Sequence, residues 1–125
     1  MRRGAPADVA EAVVADMVTR GYVDDAAFAR HWVETRTPRG YGPARLRAEL
    51  RARGIAAALV ERALGDTTRE ADLERARALA RRRLPSLKRA APERAARRLR
   101  DYLLRRGYAV GIVARVVREV TGLGE

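Results

Sequence analysis

Arginine dominates the chemistry this chain can offer. Arg81-Arg82-Arg83, Lys88-Arg89, Arg97-Arg98-Arg100 and Arg105-Arg106 crowd into residues 74–106, where 13 basic side chains face only Glu74, Glu93 and Asp101, a net charge of +10. A second group runs from Arg39, close to Tyr41, through Arg45, Arg47, Arg51 and Arg53. Guanidinium groups grip phosphate and carboxylate through two parallel hydrogen bonds and stack on flat rings. Tyr41 adds a ring on which a base can stack. The whole chain carries +11 on 125 residues, and Lys88 is its one lysine among 27 basic side chains. An excess of this size points to a polyanionic partner, either nucleic acid or an acidic protein surface. The candidate binding residues are Arg39, Tyr41, Arg45, Arg47, Arg51, Arg81, Arg82, Arg83, Lys88, Arg89, Arg97, Arg98, Arg105 and Arg106.

Bond-making chemistry has no comparable foothold. There is no cysteine, which removes disulfides, thiolate zinc sites and cysteine nucleophiles. His31 is the single histidine, so neither a usual metal-ligand set nor a histidine-centred triad is legible. Asp24-Asp25 is the one adjacent acidic pair, and helix capping accounts for it. No Gly-x-x-x-x-Gly-Lys loop exists for ATP, and Gly40-Tyr41-Gly42 lies between helices, the wrong context for a dinucleotide. The reading is a non-enzyme with no cofactor and no metal. A nuclease, which would need clustered carboxylates in a basic groove, is disfavoured. No run of about 18 apolar residues is available to span a membrane, and acids interrupt the first 25 residues, so a cytoplasmic protein is expected.

The elements that must position the arginines are helices. Three segments share one pattern: Arg, then Gly, then an apolar stripe. Apolar residues stand five, nine and ten places after Gly4 (Val9, Val13, Val14), Gly54 (Leu59, Ala63, Leu64) and Gly107 (Ile112, Val116, Val117). Leucines stand eight and four places before Gly54 (Leu46, Leu50) and before Gly107 (Leu99, Leu103). Spacings of four place side chains on one helix face. Glycine after an arginine-rich last turn is a helix stop, and the arginines suit the negative end of the helix dipole. The pattern predicts helices over 7–20, 25–36 (opened by Asp24-Asp25 and carrying Ala27, Phe28, Trp32 and Val33), 43–53, 56–64, 67–84, 93–106 and 109–120. Residues 37–42 form a loop, Pro43 sits in the first turn of its helix, and Pro85 limits the helix before it. No segment alternates with period two.

The stretch Gly21-Tyr22-Val23-Asp24-Asp25-Ala26-Ala27-Phe28-Ala29, followed by Gly40-Tyr41-Gly42-Pro43 and Arg47-Ala48-Glu49-Leu50-Arg51-Ala52-Arg53-Gly54-Ile55, resembles the signature of the RecX family. Three short motifs in this order and at this spacing are specific together, over about residues 18–64. The resemblance implies tandem three-helix units. It also implies a protein that binds RecA and its DNA filament, restrains strand exchange, ATP hydrolysis and co-protease activity, and touches DNA directly. It makes Asp24, Asp25, Phe28, Gly42, Pro43, Leu46, Glu49, Leu50, Gly54 and Ile55 motif residues, mostly structural.

The expected fold is therefore all-α, tandem three-helix repeats forming an elongated, curved array. Unit 1 spans 1–36 without its first helix, unit 2 spans 37–84, a basic linker spans 85–92, and unit 3 spans 93–125 without its last helix. The expected partners are RecA, the RecA–DNA filament and single- or double-stranded DNA, with no membrane, and the protein is expected to be a monomer. The alternative is a stand-alone basic DNA-binding module of helix-turn-helix type.

Overall fold

The computed structural model describes residues 4–65 and 67–122, with side chains from Arg20 onward within that span. Val9, Val13, Val14, Met17 and Asp66 therefore lie outside the described side chains. Among the described residues there are six α-helices and no strand: α1 Gly4–Arg36, α2 Pro43–Ala52, α3 Ala57–Leu64, α4 Arg69–Leu87, α5 Pro92–Arg106 and α6 Val110–Thr121. A short 3-10 turn, Thr37–Arg39, follows α1.

The glycine stops behave as their position requires. Gly54 and Gly107 adopt φ of +88° and +101°, and Gly40 does so after the 3-10 turn at +93°. Only a residue without a β-carbon enters this left-handed region cheaply, so the helix can stop and the chain turn there. Pro43 occupies the first turn of α2 and Pro92 that of α5. Thr68 caps α4, its hydroxyl accepting the Ala71 amide at 3.0 Å.

Two boundaries differ from the sequence reading. Residues 7–20 and 25–36 belong to one unbroken helix, so Asp24 and Asp25 do not open a new one. Gly21 is absent from the positive-φ glycines. A helical glycine costs only about 1 kcal/mol, and with no proline nearby the backbone ladder continues through it. Likewise α4 runs past Pro85 to Leu87, leaving residues 88–91 as the connection. Proline forfeits a single backbone bond there. The Ser86 hydroxyl donates to the Arg83 carbonyl at 2.8 Å, and Leu87 is buried in the core beyond it.

Packing divides the chain into two cores. Ala29, Leu46, Leu50, Ile55, Leu59, Val60 and Leu64 bury one another between the end of α1, α2 and α3, with Phe28, Trp32, Val33 and Tyr41 against them. The second core joins α4, α5 and α6 through Leu73, Ala76, Leu79, Ala80, Leu99, Leu103, Ile112, Val113, Val116 and Val117. Each fully buried leucine or valine contributes on the order of 1.5–3 kcal/mol. The glycine-aligned Leu, Ile and Val residues of both described copies thus point inward. The unit expected at 37–84 is split by this packing, because the buried face of α4 rests on α5 and α6 rather than on α2 and α3.

Candidate polyanion-binding surface

The two cores meet through loops. The Gly42 amide donates to the Arg106 carbonyl at 2.6 Å and the Ala44 amide to the Gly107 carbonyl at 3.0 Å. The Tyr108 hydroxyl, buried, donates to the Gly40 carbonyl at 3.0 Å. The Gly40-Tyr41-Gly42-Pro43 motif is therefore the contact between the two helical units. It brings Arg39 and Tyr41 beside the end of α5.

This joint sorts the arginines of α2. Arg47 is held by both oxygens of Glu61 on α3, at 2.7 and 3.1 Å. Arg45 donates to Glu49 at 3.0 Å and to the Arg105 carbonyl at 3.3 Å, and its guanidinium lies 4.6 Å from the Tyr41 ring centre. Arg106 covers the same ring, also at 4.6 Å. Tyr41 is thus occupied by two internal guanidiniums and half-buried, so the free stacking platform expected from sequence is not presented here. Arg51 is exposed and forms no ion pair among the described residues.

Trp32 is similarly engaged. Its indole N–H donates to Glu49 at 2.9 Å, and the guanidiniums of Arg36 and Arg53 lie 3.4 and 4.7 Å from its ring centre. Partial burial pushes the Glu49 carboxyl up, but hydrogen bonds from Trp32 and Arg45 and the charges of Arg45 and Arg36 outweigh it and bring it below its ordinary value. Phe28 packs against Trp32 with ring centres 5.3 Å apart. Leu46, Leu50 and Ile55 are buried, while Gly54 ends α2 in the left-handed region. Asp24 is exposed and Asp25 half-buried on α1.

The α4–α5 tract differs in kind. Arg81, Arg82, Lys88, Arg89, Arg97, Arg98 and Arg105 are exposed, and none is paired with a carboxylate among the described residues. Three acids near the tract are engaged by other arginines: Glu74 and Glu119 by Arg77, Asp72 by Arg75. Of the seven, Arg82, Arg98 and Arg105 line a groove between α4 and α5 with Arg39, Arg83 and Arg106, whereas Arg81, Lys88, Arg89 and Arg97 lie outside its walls. Sequence reasoning missed Tyr102 at the centre of this groove. Its spacing of four from both Arg98 and Arg106 was the available signal, since such residues share a helix face. Among the described residues no three His, Cys, Asp or Glu side chains gather as a metal would require, and no helix is long and apolar enough to cross a membrane.

An all-helical chain of two three-helix units, carrying a basic face with few acids, is a tandem three-helix repeat protein. Two family models match it: "RecX, second three-helix domain" over residues 24–64 and "RecX, third three-helix domain" over residues 70–117. These ranges coincide with the two cores. The chain is 36% identical over 119 residues to the Regulatory protein RecX of Amycolatopsis mediterranei, covering 94% of this chain and 68% of that one. It is 41% identical over 119 residues to the Regulatory protein RecX of Thermobifida fusca, covering 94% of this chain and 64% of the relative. The corresponding figures for the Regulatory protein RecX of Streptomyces coelicolor are 37%, 94% and 63%. The chain belongs to the RecX family, and it spans about two thirds of the length of these relatives. No solved structure matches it.

Proposed function

We propose that this chain is a RecX-type regulator that binds RecA and its nucleoprotein filament and restrains recombinase, ATPase and co-protease activity without covalent chemistry. Each three-helix unit presents a surface, and the Gly42–Gly107 joint fixes one unit against the next. A rigid tandem body that bridges neighbouring filament subunits opposes the motions that hydrolysis and strand exchange require. Exposed arginines supply attraction toward acidic protein surface, and those along the groove between α4 and α5 toward DNA phosphate; the protein would act in the cytoplasm as a monomer. The observation that carries this reading is family membership across both units, to relatives named regulatory proteins. It is tested by RecA's DNA-dependent ATP hydrolysis at low salt. A stoichiometric amount of the protein is expected to suppress the rate, and an unchanged rate at excess protein refutes the reading.

The second reading, a stand-alone DNA-binding helical module, is favoured by one feature: the carboxylate-free arginines of α4 and α5. It predicts equal DNA affinity with and without RecA. Binding that appears only when RecA coats the DNA excludes it.

A further inference from the structure

The groove between α4 and α5 is built, not merely charged. Two shallow pockets of about 210 and 220 Å³ open along it, and Arg83 and Tyr102 line both. The first is walled by Arg39, Arg82 and Arg106 over a Leu79 floor. The second is walled by Arg98 and Arg105 over Leu87, with Asp101 at its edge. From Leu79 to Leu87 the groove follows α4 for eight residues, about 12 Å at the helical rise.

Two of its guanidiniums, those of Arg83 and Arg106, are oriented before any partner arrives. Arg83 lies 5.0 Å and Arg106 5.4 Å from the Tyr102 ring centre, and Arg106 also donates to the Arg39 carbonyl at 3.4 Å. A ring that holds two cations side by side removes rotamer freedom that binding would otherwise have to remove. None of the six arginines lining the groove is neutralised by a carboxylate among the described residues, in contrast to Arg45, Arg47, Arg77 and Arg115.

We propose that this groove is a sequence-independent site for the phosphodiester backbone of a single DNA strand. Phosphate sits at the Arg39–Arg82–Arg106 end, and the strand continues toward Arg98. Cations on both rims above an apolar floor suit a thin polymer with charged phosphates and apolar sugar edges. A folded acidic surface is convex and would reach the rims without filling the floor. Asp101 sets the polarity of the site, because its charge weakens the second pocket for phosphate. The proposal deepens the DNA contact in the functional reading above. It rests on that contact and is independent of RecA binding.

Fluorescence anisotropy with a labelled oligothymidylate, without RecA, tests it. The variant Arg39→Glu/Arg82→Glu/Arg98→Glu is compared with Arg81→Glu/Arg89→Glu/Arg97→Glu, which changes net charge equally outside the groove. The groove variant is expected to lose about tenfold or more in affinity, and its log–log salt slope to fall by roughly two. The control is expected to stay within about threefold, and Asp101→Asn to tighten binding about threefold. Equal losses in both triple variants overturn the proposal in favour of diffuse charge. Unchanged affinity in the groove variant also overturns it. Loss of binding to DNA-free RecA with DNA affinity kept assigns the groove to protein and overturns it as well. Tyr102→Phe keeps the ring and is expected to bind as the parent does, whereas Tyr102→Leu weakens binding. Equal affinities for these two refute the ordering role. A duplex probe bound more tightly than the single strand refutes the strand assignment. Helix content and melting of each variant are matched to the parent first. RecA ATPase inhibition is read separately, so its failure would leave these outcomes standing.

Discussion

Gly42 and Gly107 meet backbone to backbone across the joint between the two three-helix units. A β-carbon on Gly42 would fall 2.6 Å from the Gly107 carbonyl, and one on Gly107 would fall 2.5 Å from the backbone nitrogen and β-carbon of Arg45. Those atoms are backbone or the β-carbon fixed to it, and none can swing aside. Gly42→Ala is therefore expected to force the joint open, lengthening the Gly42–Arg106 hydrogen bond, while each unit keeps its own core. A loss of about 1–3 kcal/mol follows from such overpacking. Urea unfolding checks it, and a midpoint equal to the parent's would show that the units do not bear on each other. Gly107→Ala is expected to lose more, since its φ of +101° adds backbone strain to the clash.

Tyr108 reinforces the same joint through its buried hydroxyl. Tyr108→Phe leaves the Gly40 carbonyl without that donor and is expected to lose roughly 1–2 kcal/mol at neutral pH. The group also predicts a pH dependence. Burial pushes the phenol up to about 12 from an ordinary value of 10.0. Between these values the unfolded chain releases a proton that the folded chain retains, so stability is full below pH 10 and declines as pH rises toward 12. The parent is expected to lose more stability than Tyr108→Phe across that window. Parallel curves would mean that the phenol ionises without regard to folding.

Much of this architecture was legible in the residues. Leu46, Leu50, Leu99 and Leu103 announced buried faces, and Gly54 and Gly107 announced helix stops, because these effects are local to one turn of chain. The continuity of α1 was hidden because glycine followed by paired aspartates favours an interruption without enforcing one. The engagement of Arg47 was hidden for another reason: its partner Glu61 lies on a different helix, and only the packing of α2 on α3 brings them together. The α4–α5 groove needed the same long-range information, with only the spacing of Arg98, Tyr102 and Arg106 showing in advance.

The Arg47–Glu61 pair separates structural arginines from binding ones. Each side chain is exposed, so water screens much of the attraction. Arg47→Glu is expected to lower the unfolding midpoint slightly, by removing one ion pair and setting two carboxylates together. Arg47→Glu/Glu61→Arg is expected to recover most of that loss. Arg51→Glu, which breaks no ion pair seen in the structure, is expected to move the midpoint less. A double-mutant cycle with no coupling between Arg47 and Glu61 would show that the pair contributes nothing.

Glu119 makes the acid side of the stability profile predictable. It accepts from Arg77 of α4 at 2.8 and 3.2 Å and from Arg115, one turn earlier on α6, at 3.0 Å. Hydrogen bonds from Arg77 and then Arg115 hold its carboxyl down at about 2, against an ordinary value of 4.5. The lowered value means that the unfolded chain takes up a proton first as pH falls. The contribution is therefore full above pH 4.5 and is lost on the way to about pH 2. Asp72 works in the opposite sense, since burial pushes its carboxyl up and Arg75 offsets this only in part. Its contribution is present at low pH and fades as pH rises through its folded value. Glu119→Gln is accordingly expected to flatten the acid limb of a midpoint-against-pH curve, and Asp72→Asn to steepen it. Because Glu119 links α6 to α4, its replacement is also expected to speed amide exchange in the last turns of α6. A Glu119→Gln curve superimposable on the parent's between pH 4.5 and 2 would mean that the carboxylate is not held by Arg77 in solution.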